Sequence, residues 1–67
     1  MFVEITAKTD LVPYGHGKQP LQVAKGAQLI HITTPPSKPG EASMYVVLLD
    51  GDEYMVSAAH ARLSNLR

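Results

Sequence analysis

The chain has 67 residues, six basic and six acidic side chains, no cysteine and a formal net charge of zero. That length holds one domain, 1–67, with a core small enough to leave stability marginal. The composition excludes disulfides and thiolate metal sites, and the neutral balance argues against a nucleic-acid surface, which needs clustered basic side chains to replace phosphate counterions.

No apolar run reaches the roughly 18 residues of a membrane span. The start, "MFVEITAK", carries Glu4 early and lacks the basic-then-apolar order of a secretion signal. A short cysteine-free reading frame beginning at Met1 leads to the expectation of a complete, cytoplasmic protein with no membrane partner.

In chain order, "FVEITAKT" alternates. Val3, Ile5 and Ala7 share one face and Phe2, Glu4, Thr6 and Lys8 the other, which predicts a strand. "DLVPYGHGKQP" packs two Pro and two Gly into a long predicted loop. "LQVAKGAQLIHITT" returns to strand character, with a turn or bulge at Lys25-Gly26. Beyond it Ala27, Leu29, His31 and Thr33 face one way and Gln28, Ile30, Ile32 and Thr34 the other. "PPSKPGEA" is a second loop, because Pro cannot donate to a sheet ladder.

"YVVLLDGDEYMVS" predicts a hairpin. Asp50-Gly51 suits a type I′ turn, whose two central residues both need positive φ. A two-residue turn pairs Val47 with Tyr54, Val46 with Met55 and Tyr45 with Val56; a four-residue turn keeps every side chain on the same face. "MYVVLL" is apolar on both faces, as expected of a strand covered on both sides in a small barrel. The end, "SAAHARLSNLR", admits two readings. Ala59, Leu63 and Leu66 have helical spacing behind a capping Ser57, whereas a tight turn at "AAHARL" would lead into a closing strand. The barrel needs a last strand, so the turn is favoured.

This order resembles an SH3-like small barrel. "LQVAKGAQLIHI" is similar to the apolar–Lys-Gly–apolar start of the second SH3 strand, and "MYVVLLDGDEYMVSAAHARL" resembles the central hairpin and the turn after it. The resemblance implies an all-β, five-stranded barrel with a short helical turn near the C-terminus; the alternative is an α+β meander with a C-terminal helix. It also implies that the first loop, the second loop and the helical turn surround a ligand-binding groove. Tyr14 would stand in the first loop, and Tyr45 where peptide-binding members place a Trp. The chain departs from those members in having no Trp, little acidic character in the first loop, and "SAAHA" in place of the Pro and Tyr of their helical turn. One barrel supports many functions, so the site must be argued from its residues.

No catalytic set emerges. His16, His31 and His60 belong to three different elements, which does not suggest convergent metal ligands. Ser57 and His60 stand three apart with Asp52 near them in the sequence, but geometry rather than proximity defines a triad, and they are read as a cap and a surface residue. Asp50, Asp52 and Glu53 serve the turn and lack an apolar pocket to raise a carboxyl pKa. The expectation is a non-enzymatic protein–protein interaction module with no cofactor, metal or catalytic residue. It would be a small accessory or regulatory protein, such as a bacterial or phage product, that docks on a larger protein. The candidate binding residues are Tyr14, His16, Lys18, Tyr45 and Tyr54. Two alternatives stay open. A nucleic-acid-binding barrel would require Lys8, Lys18, Lys25 and Lys38 to gather on one face. A homo-oligomer would share a ligand or active site between barrels.

Overall fold

A computed structural model describes residues 1–15 and 17–65. Seven strands follow one another: β1 (Phe2–Ile5), β2 (Thr9–Pro13), β3 (Leu21–Val23), β4 (Gln28–Thr33), β5 (Met44–Leu49), β6 (Asp52–Ser57) and β7 (Ala61–Ser64). They form one antiparallel sheet in the order β3-β2-β6-β5-β4-β1-β7.

The β5–β6 hairpin follows from its turn chemistry. Asp50 and Gly51 have φ of 52° and 80°, so both central residues of the two-residue turn occupy the left-handed region. Asp tolerates that region better than most residues, and Gly has no Cβ to clash there. Val47 then pairs with Tyr54, Val46 with Met55 and Tyr45 with Val56, the register of the two-residue turn. Gly26, with φ of 96°, turns the chain between β3 and β4, and its amide donates to the carbonyl of Ile5 at 2.8 Å.

Period-two alternation places one set of side chains inside. Val3, Ile5, Leu11, Leu29, Val47, Tyr54, Val56 and Ala61 form the core, with Val23, Ala27, Tyr45 and Leu49 packed around it. Val46 is as buried as these but lies outside that cluster, on the opposite face of β5. Among the described residues no polar or charged side chain is buried, so the core carries no desolvated charge.

The chain is all-β, as the alternation predicts, but three finer expectations are corrected. There are seven strands, not five, because the two predicted strand segments on either side of the first loop each contribute to two strands, and the pieces next to the loop pair with each other: Thr9 with Val23, Asp10 with Gln22 and Leu11 with Leu21. The sheet is not closed into a barrel; β3 and β7 are its two edges. There is no helix among the described residues, which removes the α+β alternative over Ala61–Ser64. That segment pairs with β1, Phe2 with Ser64 through Ile5 with Ala61, and so satisfies an edge of β1 that a helix would leave bare. The short helical turn shrinks to one reversal, in which the His60 amide donates to the Ser57 carbonyl at 3.0 Å. Leu66, the last residue of the helical spacing, lies outside the described residues.

Candidate binding cleft

Two reversals meet at one end of the sheet. β2 runs into Tyr14, whose amide donates to the Glu53 carbonyl at 3.0 Å and extends the β2–β6 ladder by one residue. That bond ties the start of the first loop to the tip of the β5–β6 hairpin. The loop then reverses through Gly17, with φ of 80°, and brings Lys18 back toward the same tip. The Lys18 ammonium lies 2.7 Å from Asp52 Oδ2. Between these elements is a cleft of about 330 Å³, lined by Tyr14, Gly15, Lys18, Gly51, Asp52 and Glu53.

The electrostatics are those of an exposed ion pair. The hydrogen bond to Asp52 raises the Lys18 pKa above its usual 10.5; partial desolvation opposes the rise, while the Asp52 charge and Tyr54 add to it. The pair is solvated, so it orders the loop more than it stabilises the fold. Tyr14 is 56% exposed, an aromatic side chain held at the mouth of the cleft by its own backbone.

The five predicted binding residues divide. Tyr14 and Lys18 line the cleft together. Tyr54 is 9% exposed and belongs to the core cluster, beside Pro13 in the ladder. Tyr45 is half-buried against the core, its ring edge-on to His31 at 6.1 Å between centroids and 81° between planes. It pairs with Val56, four residues along β5 from Leu49 at the hairpin tip, which is about 13 Å at the usual strand rise. The structure therefore does not bring Tyr45 to the cleft. His16 lies outside the described residues. Sequence reasoning missed Glu53 and Asp52 as cleft walls. Their role depends on the ladder between β2 and β6, and the signal for it was Leu11, an apolar residue between Asp10 and Val12 in a stretch read as loop.

The other chemical candidates have local partners. The Ser57 hydroxyl accepts from the Ala59 amide at 3.1 Å, a turn-stabilising bond. His60 Nδ1 is hydrogen-bonded to the Thr9 hydroxyl at 3.2 Å, and His31 Nε2 to the Thr34 hydroxyl at 2.9 Å. No helix among the described residues is long and apolar enough to cross a membrane. Comparison with known protein families, curated proteins and solved structures finds no match to the chain.

Proposed function

We propose that the chain is a non-enzymatic protein–protein interaction module, a small accessory or regulatory protein that docks on a larger protein through the Tyr14 cleft. The observation that carries this reading is Tyr14 itself. A large aromatic side chain stands exposed at the mouth of a concave site, and its backbone is pinned to the hairpin tip. Aromatic anchors held in this way lose little conformational freedom on binding and supply much of an interface's affinity. The absence of cysteine suits a cytoplasmic setting.

The SH3-like reading is retained at this level. The order of a first hairpin, a central strand, a Pro-rich loop, the Asp-Gly hairpin, one turn and a last strand paired to the first agrees with that resemblance. The nucleic-acid alternative is weakened by Lys18, whose ammonium is already neutralised by Asp52 and so offers less to a phosphate.

The test is affinity capture from a cell lysate, read by mass spectrometry, with Tyr14→Ala and Tyr45→Ala as paired variants. One protein enriched by the wild type and lost with Tyr14→Ala, at unchanged thermal stability, supports the reading. Undiminished capture by Tyr14→Ala sinks it.

A further inference from the structure

The connection between β4 and β5 is longer than a hairpin needs. Thr33 pairs with Val46, so the two strand ends are neighbours, and a loop of roughly two to five residues is the usual bridge. Here residues 34–43 intervene. Both ends of this loop are fastened. The Thr34 hydroxyl is bonded to His31 Nε2 at 2.9 Å, and the Ser43 carbonyl accepts from the Ala58 amide at 2.8 Å. Between them runs "PPSKPGEA", in which Pro36, Ser37, Lys38 and Pro39 are all exposed.

Covalent geometry sets the shape of this stretch. The rings of Pro35, Pro36 and Pro39 hold φ at about −65°. Thr34, Pro35 and Lys38 each precede a proline and are pushed toward extended backbone. The chain accordingly runs from Thr34 to Lys38 without a turn or bend, through trans peptide bonds. It reverses at Pro39-Gly40, where Gly40 has φ of 86° and the Glu41 amide donates to the Lys38 carbonyl at 3.0 Å. That is a type II turn, whose first central residue keeps nearly the polyproline II conformation. Among the described residues, the backbone of Pro35, Pro36 and Ser37 makes no hydrogen bond, which suits a polyproline II helix with its solvated backbone. About three residues per turn put Pro36 and Pro39 on one edge of that helix. Lys38 stands beside them, its ammonium in no ion pair among the described residues.

We propose that this segment is a polyproline II ligand, which docks in the aromatic-lined groove of a proline-reading domain on another protein. Pro36 and Pro39 fill the spaces between the groove's rings. The carbonyls of Pro35, Pro36 and Ser37, unspent within the described residues, accept from the ring N–H and O–H donors. Lys38 meets an acidic side chain at the groove's rim. Prolines have little conformational freedom to lose on binding, and a segment already fastened at both ends loses less than a free peptide. This surface is separate from the Tyr14 cleft. The loop enters β5 at Met44, whereas the cleft lies beyond Leu49 at the hairpin tip, about 17 Å along the strand.

The experiment titrates the full chain into two purified probes, an SH3 domain and a WW domain, and follows the tryptophan fluorescence of their grooves. The chain has no Trp and adds no signal of its own. At least one probe should bind with a Kd below about 1 mM. Pro36→Ala/Pro39→Ala should weaken that binding about 10-fold or more. Both rings are exposed, so this variant should keep its strand circular dichroism. If it fails to fold, Lys38→Glu decides: this exposed side chain, reversed in charge, should weaken binding about 3-fold or more. Three results overturn the proposal: no fluorescence change in either probe at about 1 mM chain, a proline variant that binds as tightly as the wild type, or, where that variant does not fold, a Lys38→Glu chain that does so. Tyr14→Ala should bind the probes like the wild type. Loss of binding there would move the contact to the cleft and overturn the assignment to this segment.

Discussion

The two hairpins of this sheet are built on different principles. β5–β6 has a two-residue turn with both φ values positive and six consecutive cross-strand pairs, and apolar side chains on both of its faces. β2–β3 has three pairs, a long polar connection and, among its described residues, one fully buried side chain, Leu11. The first is specified by local sequence and held by packing. The second is held by its neighbours: Leu11 anchors it to the core, the Tyr14 amide joins it to Glu53, and Lys18 ties its loop to Asp52. Such a division is common, with a rigid scaffold carrying a more adjustable segment that bears the binding residues.

The largest test of this contrast is Leu11→Ala. Removing the only fully buried side chain among the described residues of the β2–β3 hairpin should cost about 3 kcal/mol. In a domain this small that is enough to unfold a large share of molecules, as urea denaturation would show. An unchanged midpoint would mean that β2 is not part of the core. Next is Tyr45→Ala, which should cost about 2 kcal/mol, below the usual penalty for a fully buried ring because this one is only partly buried.

A sharper comparison uses two glycines with the same φ of 80°. Gly51→Ala should destabilise by about 1–2 kcal/mol, because the hairpin register holds that residue in the left-handed region. Gly17→Ala should cost less, about 1 kcal/mol, because the same positive φ strains the new side chain but no strand pairing fixes that conformation. Equal costs would show that the first loop is as rigid as the hairpin tip. The smallest effect belongs to Lys18. Its folded pKa lies above 10.5, so its contribution is fully present at lower pH and lost as pH rises through the folded value. Between pH 9 and about 12 the wild type should therefore lose slightly more stability than Lys18→Met; parallel profiles would remove the ion pair from the account.

The sequence was most legible where local rules act alone. Asp50-Gly51 specified the turn, and the turn specified the register of twelve side chains. Val3, Ile5 and Leu29 could be assigned to one face from alternation alone. Legibility failed where pairing is long-range. The ladder of Thr9–Pro13 rests on a partner some forty residues away, and its Pro13 carries the usual mark of a loop. Pro13 is tolerated because it ends the strand, where its missing amide removes little. The cleft was half-visible for the same reason. Tyr14 and Lys18 stand in one loop and could be grouped by eye, whereas Asp52 and Glu53 join them only through the β2–β6 ladder. Tyr45 and Tyr54 could be read either as packed cross-strand side chains or as surface anchors, because a tyrosine on a strand gives no sign of which face it occupies until the sheet is assembled.

The pairing of β1 with β7 sets the order in which the chain can fold. Ile5 is the neighbour of Ala61 and Phe2 of Ser64, so the first strand made is the one that waits longest for a partner. On the ribosome β5 and β6 can close as soon as both emerge, but β1 stays half-paired until β7 has been made. Contacts this distant along the chain slow the search, because loop closure comes before any gain from packing. Completion of the sheet should therefore wait until Ala61–Ser64 has been made. Shortening the chain before Ala61 should leave a species that binds chaperones rather than a smaller native fold.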